Sequence, residues 1–188
     1  LRAGFVVVNV NPLYTARELR HQLKDSGAVA LVVLENFAAT LEEVIDDTAI
    51  KHVVLAATGD LLGFWRGRWV NFALRHVRKL VPEYRLPLDA GRSVTSFVQA
   101  LEEGRRLSFK RPDVGPDDVA FLQYTGGTTG VAKGAMLLHR NVAANVEQSW
   151  AWLKPYLADK PLILVTALPL YHIFGLTACL LLVVKTGG

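Results

Sequence analysis

Cysteine is all but missing. Cys179 stands alone among 188 residues, which excludes an intrachain disulfide and leaves a small core residue as its reading. The five histidines, His21, His52, His76, His139 and His172, show no metal-ligand spacing, so no zinc site is expected. No stretch of these residues resembles a signal peptide, which would need a charged start, an apolar run and a small-residue cleavage site, and none is expected. The chain opens on Leu1 in the strand-like "LRAGFVVVNV" and stops at the turn-like "KTGG", and it is expected to be a piece of a longer, cytoplasmic protein. Residues Pro161 to Val184 carry no Asp, Glu, Lys or Arg, a length that raises the question of a membrane span. Pro169, Tyr171, His172 and Gly175 divide this stretch into "LILVTALP" and "IFGLTACLLLVV". A buried strand, a loop and a buried helix are therefore expected instead.

What is present suits a packed core, since 51% of the residues are hydrophobic and disorder is excluded. The net charge of +4 is modest but unevenly placed. Phe64 to Arg85 holds Arg66, Arg68, Arg75, Arg78, Lys79 and Arg85 against a lone Glu83, with Trp65, Trp69, Phe72, Val77 and Leu80 at partly helical spacing. Such a helix lies either in a membrane interface, cations toward anionic headgroups, or on the surface with its apolar face on its own domain. No nucleic-acid module accompanies the charge.

The first sixty residues alternate strand-like runs with amphipathic helices, the pattern of βαβ units and a largely parallel sheet, so the fold class is α/β. "GFVVVNV" reads as a first strand. Thr15 with Glu18 three residues on forms a capping box that opens "ARELRHQLKDSG", which Gly27 ends. "AVALVVL" and "HVVLAA" read as strands and "NFAATLEEVIDDT" as a helix starting near Asn36. Their near-continuous Val and Leu runs predict cover on both faces. "VTSFVQALEEG" reads as a short helix, "SFKRPDVGPDD" as a connecting loop, "VAFLQYT" and "GAMLLH" as strands, and "NVAANVEQSWAWL" as a helix with Asn141 as its cap.

Between "VAFLQYT" and "GAMLLH" sits the densest chemical signal. "YTGGTTGVAKG", Tyr124 to Gly134, packs four glycines, three threonines and one lysine into eleven residues. Small residues let consecutive N–H groups turn around an anion, hydroxyls add donors and lysine adds a compact charge, so phosphate is the expected guest. The Walker spacing is not met, because Ala132 precedes Lys133 and Gly134 follows it. A plain hairpin connection, the alternative, needs only one or two glycines.

These residues bring out a resemblance. "FLQYTGGTTGVAKGAMLLHRN" is similar to the phosphate-binding signature of AMP-forming, adenylate-forming enzymes, usually written Y-T-S-G-[ST]-T-G-x-P-K-G. "VTALPLYHIFGL" resembles their next core motif, and "GFVVVNVNPLYTARELRHQLKDSGA" their upstream region. Within the family the likeness is greatest to bacterial long-chain fatty-acid–CoA ligases and spans essentially the whole chain. Gly126 replaces the usual serine, deleting one donor, and Ala132 replaces the usual proline, leaving the loop less preorganised.

The resemblance implies part of a large N-terminal AMP-binding domain over residues 1–188, with the C-terminal domain absent, ATP and Mg²⁺ as cofactors and coenzyme A as co-substrate. It implies a nucleotide site made by Tyr124, Thr125, Gly126, Gly127, Thr128, Thr129, Gly130, Val131, Ala132, Lys133, Gly134 and Ala135, with Thr128 at the metal and Lys133 neutralising phosphate. His172 matches a position near the acyl carboxylate, although a lone histidine in an apolar run also reads as a hydrogen-bonded core residue. Lys133 has its own alternative, a solvated turn lysine. His139 and Arg140 read as stabilising a strand–helix junction. No Y-G-x-T-E-like element occurs in the chain, so the polypeptide alone is not expected to complete catalysis. Two other functions fit parts of the sequence: a peripheral membrane-binding module built on Phe64 to Arg85, and an adenylating ligase for aryl or amino acids.

Overall fold

The computed structural model describes residues 1–87, 91–125, 131–157 and 162–188. In chain order the elements are β1 (Val7–Val8), α1 (Ala16–Ser26), β2 (Ala30–Leu34), α2 (Ala38–Glu42), β3 (His52–Ala56), α3 (Phe64–Phe72), β4 (Ser93–Ser96), α4 (Phe97–Arg105), β5 (Val119–Thr125), β6 (Lys133–Leu138), α5 (His139–Leu157) and α6 (Leu182–Thr186). They form two compact units, Pro12–Lys110 and Leu1–Asn11 with Arg111–Gly188. The class is α/β, as the alternation of apolar runs and amphipathic helices predicts.

Pro12–Lys110 carries an all-parallel sheet in the order β2-β3-β4, with Ala30 opposite His52 and His52 opposite Ser93. The capping box opening α1 is present. Glu18 N–H donates to Thr15 Oγ1 at 3.4 Å and Thr15 N–H to Glu18 Oε2 at 2.9 Å, while Gly27 closes the helix at φ +62°, a left-handed turn that suits glycine. The bonds from Thr15 hold the Glu18 carboxyl below its ordinary range. Leu19, Gln22 and Leu23, three and four residues apart, form the buried face of α1. Leu41, Val44, Ile45, Ile50 and Val53 are also buried.

Several boundaries differ from the sequence reading. "GFVVVNV" contributes only Val7–Val8 as strand. The helix expected from Asn36 is a 3₁₀ turn Glu35–Phe37, the five-residue α2 and a second 3₁₀ turn Ile45–Asp47, and the Asn36 amide donates to the Leu80 carbonyl at 3.0 Å instead of capping its own segment. In "VTSFVQALEEG" the β-branched Val94 and Thr95 join the sheet as β4. Ser96 then caps α4, accepting from Gln99 N–H at 3.2 Å. Cover on both faces does not hold for β2: Ala30, Val32 and Leu34 are exposed on alternate positions, so one face of this strand lies open.

The other unit has a mixed sheet in the order β1-β5-β6. β1 runs parallel to β5, with Val7 opposite Phe121, and β5 pairs antiparallel with β6, with Val119 opposite Leu138. Ala120, Phe121 and Leu176 are buried together, with Leu137, Val142 and Ile173 packed against them. Val146, Leu162 and Leu182 make a second cluster with Trp150 and Leu153. Asn141 is not the cap of α5: it lies inside the first turn and accepts from Leu138 N–H at 2.9 Å, reaching back as the third residue of a capping pair does. At the same junction the His139 and Arg140 N–H groups donate to the Asp118 and Pro116 carbonyls at 3.0 and 2.9 Å, and Arg140 pairs with Asp117.

"LILVTALP" forms no strand among the described residues. Ile163 and Val165 are 88% and 87% exposed, since a β-rich run without a partner ladder has nothing to satisfy its backbone. "IFGLTACLLLVV" is helical as expected, passing through a π turn Gly175–Leu181 into α6, with Cys179 buried. No described helix is long and apolar enough to cross a membrane.

Candidate functional site

The site assembles where β5 ends. Antiparallel register sets Gln123 against Ala135, Tyr124 against Gly134 and Thr125 against Lys133, so the last residue before the glycine-rich loop and the first β-residue after it face each other. Thr125, Lys133 and Ala135 are exposed, Ala132 is half-buried, and Val131 is 63% exposed. Gly126, Gly127, Thr128, Thr129 and Gly130 lie outside the described residues. At the mouth of the hairpin, then, one hydroxyl and one ammonium stand on paired positions and open to solvent, a donor set that suits an anion.

Gly134 has a packing reason for its identity. A Cβ there would lie 3.0 Å from two ring carbons of Tyr124, whose side chain is buried at 8% exposure. The ring thus lies against the bare backbone of β6, which seats the hairpin stem beneath the loop.

His172 stands at the start of the C-terminal helical segment. Its N–H donates to the Pro169 carbonyl at 3.0 Å, its carbonyl accepts from Leu176 N–H at 2.9 Å, and its Nδ1 accepts from Phe174 N–H at 3.4 Å. The imidazole therefore caps this segment, and in the neutral ring the proton resides on Nε2. The side chain is exposed, unlike a core histidine. Gly175 lets the turn close: a Cβ would lie 2.5 Å from the Pro169 carbonyl oxygen.

Gln123 is the residue that sequence reasoning passes over. It is 6% exposed; Nε2 donates to the Tyr171 carbonyl at 3.1 Å and the Tyr124 carbonyl at 3.4 Å, and Oε1 accepts from Asn9 Nδ2 at 3.2 Å. The segment just after β1, β5 itself and the turn preceding His172 meet on this amide. Its one signal in sequence is an amide inside the apolar run "VAFLQYT". Among the described residues no group of three His, Cys, Asp or Glu is placed to hold a metal ion, and Thr128, the residue expected at Mg²⁺, lies outside them.

Comparison with known proteins places the chain in a family. The family described as AMP-binding enzyme matches across residues 1–188. The chain is 56% identical over 188 residues to a long-chain-fatty-acid–CoA ligase of Escherichia coli O157:H7, covering all of this chain and 33% of that protein. It thus spans about a third of the length of the curated relatives it matches. A solved long-chain-fatty-acid-CoA ligase from Archaeoglobus fulgidus aligns over 96% of this chain and 29% of its own, at 26% identity and a TM-score of 0.56. ATP-bound MatB from Rhodopseudomonas palustris aligns over 100% and 30%, at 25% identity and a TM-score of 0.61.

Proposed function

Because the chain belongs to the AMP-binding enzyme family, we propose that it is part of the N-terminal domain of an ATP-dependent long-chain fatty-acid–CoA ligase. The observation that carries this reading is the pairing of Thr125 with Lys133 at the open mouth of a glycine-rich hairpin, in a chain 56% identical to such a ligase. In the proposed reaction a fatty carboxylate oxygen attacks the α-phosphorus of ATP, the bond to the β-phosphate bridging oxygen breaks, and pyrophosphate leaves. The thiol sulfur of coenzyme A then attacks the acyl carbon and AMP departs.

Charge grows on the leaving pyrophosphate in the first step, so donors and cations placed there stabilise the transition state more than bound ATP. The Lys133 ammonium and the hydroxyls of Thr125, Thr128 and Thr129 are assigned that role, with the N–H groups of Gly126, Gly127 and Gly130. Mg²⁺, when bound, supplies further neutralisation of the β- and γ-phosphates, with Thr128 as its proposed neighbour. His172 offers its Nε2–H to the acyl carboxylate, orienting it for attack. The adenine, ribose and coenzyme A groups are assigned to the parent protein outside these 188 residues, so this polypeptide alone is proposed not to complete the reaction.

Replacing Lys133 by Ala in the full-length protein tests the assignment. Fatty-acid-dependent ATP–pyrophosphate exchange should fall by about 10²–10³-fold. Exchange at the parent rate would refute it. Activity on aryl or amino acids in preference to fatty acids would keep the nucleotide site and reject the substrate class.

A second function on the same chain is favoured by α3. Trp65, Trp69 and Phe72, at spacings of four and three, form one stripe on the helix and are 74%, 71% and 51% exposed, whereas Gly67 is buried on the opposite side. These aromatic side chains are thus turned outward together with Arg66 and Arg68, which are exposed on the same short helix. Trp69 and Phe72 stack edge to face at 6.2 Å, and the Arg68 guanidinium lies 5.5 Å from the Phe64 ring. We propose that this stripe inserts into an anionic membrane surface, making the parent a cytoplasmic enzyme held peripherally at the inner face of the cell membrane. Full-length protein should sediment with phosphatidylglycerol vesicles, less with phosphatidylcholine, and lose binding on Trp65→Ser with Trp69→Ser. Undiminished sedimentation of that variant would reject the stripe as the contact.

A further inference from the structure

The strand that opens the glycine-rich loop contains one polar side chain in the protein interior, Gln123, and its bonds run to both halves of the site. An amide in that setting costs free energy unless its donors and acceptor are matched. Asn9 Nδ2 donates to Oε1, which fixes the orientation of the amide, because only the opposite end then carries hydrogens. Nε2 must therefore face the carbonyls of Tyr171 and Tyr124. The first of these precedes His172 in the chain and the second precedes Thr125, so a single NH₂ group ties the turn bearing the imidazole to the strand entering the phosphate loop. The fit of that turn is close elsewhere too, as the Pro169 carbonyl leaves no room for a Cβ on Gly175.

We propose that Gln123 is a positioning residue for carboxylate activation: it sets the place of His172 relative to Thr125 at the end of β5, and Asn9 sets the place of Gln123. The proposal rests on the reading of His172 as a group that meets the acyl carboxylate. It predicts a defect on the fatty-acid side of the reaction, because a shifted turn misplaces one reactant by a fraction of an ångström while leaving Thr125 and Lys133 paired on their own strands.

Gln123→Glu in the full-length protein gives the sharpest test. The introduced carboxyl keeps an oxygen for Asn9; when ionised it has no hydrogen for Tyr171, and when protonated it has one. At neutral pH, kcat/KM for the fatty acid in pyrophosphate exchange should fall about tenfold while KM for ATP stays within about twofold of the parent. The deficit relative to the parent should shrink as pH falls through the raised pKa of the buried carboxyl, and in a His172→Ala background Gln123→Glu should add no further loss. A deficit independent of pH, one borne by KM for ATP, or one additive with His172→Ala would each overturn the positioning role. Should this variant fail to fold, Asn9→Ala, which leaves the amide but frees it to flip, carries the same His172→Ala cycle. Parent-like kinetics of His172→Ala itself would refute the underlying reading of His172, whereas a crippled His172→Ala beside an unaffected Gln123→Glu would refute positioning alone.

Discussion

In Pro12–Lys110 the three strands run parallel, α1 and α4 carry side-chain N-caps, and Oε2 of the buried Glu35 receives both Nε and Nη2 of Arg75 at 2.9 and 2.6 Å. In the unit built on β5 the sheet turns antiparallel at β6, the buried amide of Gln123 serves three segments, and Gly134 and Gly175 hold backbone against ring and carbonyl. The first unit has its own irregularities, at the close approach of Gly59 to Gly67, the π turn Ala73–Val77 and Lys79 at φ +50°, but no residue to which chemistry is assigned lies in it, and it reads as scaffold. The second has its polar and close-packed arrangements beside the residues to which chemistry is assigned, as functional sites do. Substitutions in the scaffold should therefore cost stability and leave the activity of each folded molecule alone, and those beside the site in the second unit should lower activity whether or not they cost stability.

The largest scaffold effect is expected at Arg75→Met, which strands a carboxylate that is 2% exposed. A loss of about 3 kcal/mol in denaturant unfolding is expected, the low end for a broken buried pair because Arg75 is itself half-exposed, with kcat of the folded protein unchanged. A matching fall in kcat would erase the distinction between the units. Gly175→Ala comes next. The close approach to the Pro169 carbonyl should cost about 1–3 kcal/mol of stability and, unlike Arg75→Met, lower pyrophosphate exchange by displacing His172. Thr15→Ala should cost about 1 kcal/mol through loss of the cap on α1, with no kinetic change; a kinetic effect there would contradict its assignment to scaffold.

The smallest effect is a pH dependence. The folded-state pKa of Glu18 is lowered by hydrogen bonds from Thr15, so its contribution is full above the ordinary carboxylate pKa and is lost as pH falls through the lowered one. The melting-temperature gap between the parent and Glu18→Gln should narrow between about pH 6 and about pH 3. A gap that widened on acidification would reverse the sign.

Much of the scaffold was legible because its signals are local. Thr15, Glu18 and Gly27 state the ends of α1 within thirteen residues, and the Val and Leu runs of β2 and β3 state their strands. The elements misread depend on partners distant in sequence. Val94 and Thr95 are strand only because β3 lies beside them, Ile163 and Val165 are not strand because no ladder reaches them, and Asn36 spends its amide on Leu80. At the site, the glycines, threonines and Lys133 are the compositional basis on which an anion is proposed. Gln123 stayed hidden because its meaning lies in Asn9 and Tyr171, more than a hundred and nearly fifty positions away, and no periodicity encodes such a meeting.

The central claim is that the β5–β6 hairpin grips the phosphates of a nucleotide. A crystal structure of the full-length protein with ATP tests it most directly: the β- and γ-phosphates should lie within hydrogen-bonding reach of the segment from Thr125 to Lys133, with the Lys133 ammonium against a phosphate oxygen. A triphosphate bound away from that hairpin would contradict the account.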